Sequence, residues 1–443
     1  MAADSPSIDT LDATGAAGNK LAGMQWVRAF AALAVVLLHA SAPYAQHAMP
    51  GLVWSARQHE SALADWVMWP IELMIMPLFL IIAGYFAYRS AKKQSGWGLV
   101  TSRAKRLLIP FAVAGTVLLT INLYVWTIGL VHDGIVSPRK LKSFKFDDEL
   151  AGQIWGTGHL WFLLYVFLYV ALLAAAKAFI QRRPQAPWSD RARLGQHWKR
   201  TLICLPVAAV ICLAVAPEVV WGFQHSLFPV PSKWIYSGLF FAAGLALAHL
   251  DPGLEHLKRR GNRLTGLALA VIPGTILLGL WRLDAVSERS SLVILLALST
   301  LTVASAALIS FGVIGSAARY ARSIPKSINY LAGGSFCLYL VHHPILGLIH
   351  LDLELVWPAG SASTKLAISF VAAVGISILI YEAAIRKTSF GRWLRLGQPH
   401  TATSKTATSK TASAPTILKV AEPEVPFGKP ESRGEIASQK RAA

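Results

Sequence analysis

Arg28 and His39 enclose ten uncharged residues in RAFAALAVVLLH. Eleven steps of about 100° bring the two side chains back to within about 20° of each other, roughly 16 Å apart along a helix axis. They share one wall at two depths. Other groups that could do chemistry lie in equally apolar surroundings: Glu72, His159 beside Trp161, the adjacent pair His342 and His343, and Glu382. Arg103 and Arg106 follow in RAKRLLIP. An ionisable side chain at the centre of a bilayer costs roughly 2.5–3.5 kcal/mol on insertion scales, so each is a functional candidate. The chemistry open to the set is that of a lone histidine base, oriented by a carboxylate, with cations nearby to hold an anion.

Each group also has a plainer role. Arg28, Arg103 and Arg106 could be positive-inside anchors, and His159 with Trp161 an ordinary interfacial belt. His39 could join neighbouring helices by a hydrogen bond, and Glu72 and Glu382 could balance buried cations. His342 and His343 point about 100° apart, so only one need face an interior. No HExxH, no His pair at i, i+4 inside a span and no Cys/His cluster at zinc spacing occurs, so no metal is expected. A GxSxG elbow and a Walker motif are absent as well.

Ten apolar segments must position these residues, at about 24–45, 64–88, 107–130, 159–180, 201–217, 233–250, 265–281, 291–314, 331–350 and 366–385. Most are long enough to cross a hydrocarbon core of about 30 Å. The fifth, with Pro206 and Pro217, is the weakest. Cationic connections at 89–106, 177–200, 251–263 and 315–330, and the residues after the last span, alternate with balanced or acidic ones. The positive-inside rule therefore gives ten spans with both termini cytoplasmic. In that arrangement His39 and Glu72 differ in depth by only a few ångströms at 1.5 Å per residue, so the two could pair if their helices are neighbours. Glu382 falls near the level of Arg28.

Only 15% of the residues are charged against 54% hydrophobic, where a soluble domain carries about 25% charged. The expected class is an all-α, polytopic membrane bundle. Its net charge of +19 is spread through short loops, so no nucleic acid is expected as a partner. Cys204, Cys212 and Cys337 lie in apolar stretches and imply no disulfide framework. Residues 1–23 carry Asp4, Asp9 and Asp12, a poor signal-peptide start, and are expected to be a disordered cytoplasmic segment before an uncleaved anchor. From 397 to 443 the repeat TATSKTATSKTAS and the polar residues after it predict a disordered cytoplasmic tail. Any chemistry therefore belongs to the bundle at 24–396, as an enzyme, as a transporter or flippase of an anionic or glycan substrate, or as a structural subunit of an export complex.

The spacing Arg28-x10-His39 in the first span and Arg103-x-x-Arg106 before the third, with the ordered blocks MPLFLIIAGYFAYRS (76–90), GHLWFLLYVFLY (158–169), SFCLYLVHHPIL (335–346) and YEAAIRKTSFGRWLRLG (381–397), resembles the acyltransferase 3 family of integral-membrane acyltransferases. The resemblance spans about 22–396 and is strongest to the glucans biosynthesis protein C branch, which adds succinyl groups to periplasmic glucans. It implies a multi-pass protein of the bacterial inner membrane that takes an acyl group from cytoplasmic acyl-CoA, succinyl-CoA in that branch. The acceptor would be a hydroxyl of a periplasmic or exported glycan. Acyl-CoA is the donor substrate, and no permanently bound cofactor is implied. Arg28, Arg103 and Arg106 would bind the donor, and His39 with Glu72 would catalyse transfer, directly or through an acyl-histidine. His159, Trp161, His342, His343 and Glu382 remain acceptor-binding or structural candidates, and the oligomeric state stays open.

Overall fold

The computed structural model describes residues 8–56, 60–182, 191–284, 291–321, 323–394 and 396, with the side chains of 8–21 and 191–202 outside the description. The tail at 397–443 and the middle of the connections at 177–200 and 282–290 lie outside it too. Ten long helices follow in order: α1 (Ile8–Ser41), α2 (Ala62–Lys93), α3 (Gly96–His132), α4 (Trp161–Gln181), α5 (Arg191–Val215), α6 (Pro231–Leu250), α7 (Glu255–Asp284), α8 (Leu292–Tyr320), α9 (Lys326–Val356) and α10 (Ala362–Ile380). The helix α1 begins at Ile8, so the backbone ahead of the expected first span is helical as well. No strand occurs among the described residues, only an isolated bridge between Ala45 and Ser61.

Nine helical stretches among the described residues are long and apolar enough to cross a membrane, and among these residues α5 contributes a shorter apolar stretch, Ile203–Val215. The expected fifth span at 201–217 falls on this helix. Its place in the chain still carries it from one end of the bundle to the other. Lys177, near the end of α4, donates to the carbonyls of Ala91 and Gln94 at the end of α2. Cys212, near the end of α5, instead meets the Ser232 carbonyl at the start of α6. The helix α6 then returns, its His249 Nδ1 lying 2.6 Å from Tyr88 Oη at the end of α2.

Local signals set the helix starts. Ser61, Ser95 and Ser361 accept backbone N–H groups of the first turns of α2, α3 and α10, satisfying donors that have no partner inside the helix. Hydrophobic residues then cover both the inside and the outside. Phe30, Val117, Leu269 and Leu379 are exposed on the bundle surface, as lipid contact requires. Because lipid gives helices little hydrophobic reason to associate, close packing depends on small residues.

The α2–α6 contact shows this. A Cβ at Gly84 would lie 2.1 Å from the Phe241 carbonyl oxygen, and one at Gly244 would lie 2.1 Å from that of Ile81. Both glycines let the two backbones touch. Counting back along these parallel helices, Glu72 is twelve residues from Gly84 and Lys233 eleven from Gly244, about 18 and 16.5 Å at 1.5 Å per residue. The crossing therefore sets Glu72 and Lys233 at one level. At the end of the bundle away from the arginines, His47 ties down the connection after α1, its Nδ1 2.7 Å from Asp65 Oδ2 and its Nε2 3.1 Å from Asp284 Oδ2.

Candidate active site

A cavity of about 330 Å³ lies between α1, α2, α3, α6 and α9 and contains His39, Glu72, His159, Trp161, Lys233 and His343. Along α2 it reaches from Met68 to Leu80, about 18 Å of helix. The connecting segments Gln153–Gly156 and Gly222–Phe223 line it as well. Its size is at the low end for small-molecule sites.

His39 projects from α1 into this space. Its Nδ1 lies 2.9 Å from the Val35 carbonyl one turn back and 3.3 Å from His342 Nε2. His342 Nδ1 in turn lies 3.0 Å from the Leu338 carbonyl. A carbonyl can only accept, so each Nδ1 carries the proton and His342 Nε2 is a second acceptor for the His39 Nδ1–H. The His39 Nε2 lone pair is left without a hydrogen-bond partner among the described residues, and His39 lines the cavity. That is the nitrogen a general base needs.

The rings of His343 and Trp54 lie against His39, with centroids 5.2 and 6.1 Å away. His343 lies between His159 and Trp126, with ring centroids 4.8 and 5.0 Å away and interplanar angles of 9° and 12°. Asn122 Nδ2 donates to His343 Nδ1 at 2.9 Å. Trp54 approaches His39 at 6.1 Å and donates its Nε1–H to His350 Nδ1 at 2.7 Å. A Cβ at Gly347 would lie 2.3 Å from the Trp126 ring, so only glycine admits that ring against His343.

His159 reaches this cluster because of two breaks in regular structure. Gly158 has φ +52, which lets the chain turn into the 3-10 turn Gly158–Leu160 before α4. Pro344 in α9 has no N–H for the Leu340 carbonyl four residues back, and His159 Nε2 donates to that carbonyl at 3.0 Å. Tyr339 Oη donates to the His159 carbonyl.

The structure does not form the expected pair of Glu72 with His39. The Val35 carbonyl and His342 already occupy His39 Nδ1. Glu72 interacts electrostatically with Lys233, which comes from the start of α6. The Lys233 ammonium rests over the rings of Trp161 at 4.1 Å and Phe223 at 5.0 Å, within cation–π range. Nearby His225, in the loop before α6, has its pKa lowered to about 4 by burial and by the Lys233 charge.

Arg28, Arg103 and Arg106 gather at the other end. Arg28 donates to Gln25 Oε1 and to Ser335 Oγ of α9, both at 3.3 Å, and Arg103 donates to Ser90 Oγ of α2 at 3.0 Å. Arg106 is exposed, and its charge acts on both of the others. None of the three pairs with a carboxylate among the described residues. Glu382 lies apart from the histidines, exposed, accepting from Arg386 at 2.9 Å and from Tyr330 at 3.0 Å. Among the described residues, the metal-ligand atoms that converge within 4.8 Å are those of His132, Asp133 and Glu354, none of which lines the cavity. The ring nitrogens of the histidine cluster point to separate partners instead.

The sequence reading missed Lys233, His225, Trp54, Trp126 and Asn122. Lys233 begins the sixth expected span, where a lysine reads as an interfacial anchor. Trp54 lies in a segment that reads as a plain connection. Pro344 was the available signal for His159, since a proline in a helix marks a carbonyl that needs another donor.

A family model described as an acyltransferase domain matches residues 21–382, which include every site residue from Arg28 to Glu382. No curated protein and no solved structure matches the chain.

Proposed function

The chain belongs to the acyltransferase 3 family and is a membrane acyltransferase, and from that premise we propose that it transfers an acyl group from cytoplasmic acyl-CoA to a hydroxyl of an exported glycan. The observation that carries this reading is the His39 ring in the cavity lining, its proton fixed on Nδ1 and its Nε2 without a hydrogen-bond partner among the described residues. Succinyl as the group, a periplasmic glucan as the acceptor and the bacterial inner membrane as the location follow from the sequence resemblance.

The charge distribution supports donor binding at the arginine end. Acyl-CoA carries several phosphate charges that cannot enter hydrocarbon, and three arginines without carboxylate partners suit them. The arm of the donor would then run inward along the roughly 16 Å between Arg28 and His39. The acceptor comes from the opposite end, where the connecting segments border the cavity.

At the meeting point His39 Nε2 takes the proton of the acceptor hydroxyl as its oxygen attacks the thioester carbonyl. The Val35 carbonyl and His342 Nε2 hold the opposite side of the ring while it is charged. The tetrahedral intermediate then collapses, the carbon–sulfur bond breaks, and the imidazolium proton goes to the leaving sulfur. The products are an ester and free CoA.

Membranes carrying the protein, incubated with labelled acyl-CoA and glycan, should move label onto the glycan. His39→Ala should abolish transfer by protein that still inserts and accumulates. Undiminished labelling in that variant would remove His39 from the chemistry.

A further inference from the structure

We propose that Glu72 and Lys233 form an acceptor subsite that holds neighbouring hydroxyls of a neutral sugar ring, the Lys233 ammonium donating to one and the Glu72 carboxylate accepting from the next. The proposal rests on the acyltransferase reading above and adds which residues recognise the acceptor.

Lys233 is 8% exposed, yet its ammonium makes no hydrogen bond to any described residue and lies over the Trp161 and Phe223 rings within the field of Glu72. The Glu72 carboxylate likewise has no hydrogen-bond partner among the described residues, and both groups line the cavity. An ammonium brings three donors and a carboxylate two accepting oxygens. Groups of this kind removed from water are costly unless hydrogen-bonded. Both are therefore placed to bind something that enters the cavity.

The pairing of charges narrows what that is. An anionic ligand would be drawn to Lys233 and repelled by Glu72, and a cation would meet the reverse. Two adjacent hydroxyls satisfy both, since each can donate and accept. The flanking rings of Trp161 and Phe223 supply the apolar surface that the faces of a sugar need. His225 adds a polar edge, its Nδ1 buried without a hydrogen-bond partner. The position also fits an acceptor rather than a nucleotide, because the phosphate-binding arginines lie at the opposite end of the bundle. The Gly84–Gly244 crossing fixes the level of the pair.

The test uses the full chain in nanodiscs, with acetyl-CoA and succinyl-CoA as donors and a linear gluco-oligosaccharide as acceptor. Lys233→Gln and the isosteric Glu72→Gln should each raise the KM for the oligosaccharide at least about tenfold, the usual scale for a lost charged hydrogen bond. The KM for acyl-CoA should stay unchanged. Fluorescence polarisation of a labelled oligosaccharide should show binding by the wild type and by His39→Ala, and weakened binding by the two subsite variants. This readout needs no transfer, so the subsite stands on binding even if no acyl group moves. An acceptor KM and binding unchanged in both variants would overturn the proposal. So would a selective rise in the KM for succinyl-CoA over acetyl-CoA, which would assign Lys233 to the acyl group, or no oligosaccharide binding by the wild type.

Discussion

His159 donates its Nε2–H to the Leu340 carbonyl at 3.0 Å, the acceptor that Pro344 leaves without its helical donor. A proline in one helix thus holds a ring from another. Pro344→Ala restores a backbone N–H that competes for the same carbonyl. Removing an interior proline relieves a helix of a cost of about 3 kcal/mol, so the thermal midpoint should hold or rise. The transfer rate should nevertheless fall by about tenfold or more, because a displaced ring misaligns the cluster around His39. Wild-type turnover in this variant would show that ring stacking alone positions His159.

The three arginines should separate by role. Arg106 makes no hydrogen bond among the described residues, so Arg106→Gln should raise the KM for acyl-CoA by about tenfold with little change in kcat, as lost phosphate contacts do. Arg28→Gln and Arg103→Gln also lose bonds to Ser335 and Ser90, and should lower protein yield in addition. Raising salt should increase the donor KM of the wild type more than that of Arg106→Gln. Initial rates across a salt series decide this, and identical slopes would take Arg106 out of the donor site.

His47 gives a pH dependence outside the membrane segments. Burial lowers its pKa, but the hydrogen bonds and charges of Asp65 and Asp284 outweigh that and hold it above the ordinary value. A raised value in the fold means the contact stabilises fully below about pH 6.5, the unfolded histidine range, and is lost as pH climbs through the folded value. Thermal unfolding of the wild type and His47→Asn from pH 5.5 to 9 should show a wild-type advantage at the acidic end that disappears at the alkaline end. A constant gap would mean that protonation of His47 contributes nothing.

Gly84 tests the helix crossing. Any Cβ there must push the Phe241 carbonyl away from a 2.1 Å approach, which separates α2 from α6. Gly84→Leu should destabilise the protein by a few kcal/mol, in the range of overpacked interiors. Gly115→Leu, where a Cβ meets nothing within 4 Å, should be close to neutral. Thermal midpoints of the purified variants give the comparison, and equal effects would remove the argument for a glycine contact.

The membrane class, most helix positions and the helical interval between Arg28 and His39 were legible in the sequence because each is a local property. Apolar run length marks a span, and an eleven-residue interval marks a shared helix face. Which helices are neighbours is not local. Depth alone suggested that Glu72 would meet His39, but depth says nothing about the direction a side chain takes around its helix. The Gly84–Gly244 contact turns α2 toward α6, and Glu72 meets Lys233 instead. The part played by His342 was hidden for the same reason, since two adjacent histidines cannot show which faces inward.

The Val35 carbonyl that holds His39 belongs to the peptide backbone, and a peptide carbonyl does not ionise. A triad that relies on an aspartate loses its orienting partner when that acid is protonated. Here the partner stays the same at every pH and survives any side-chain substitution at position 35. One of the contacts that orient the His39 ring is therefore inherited from the helix itself and does not depend on any acidic residue.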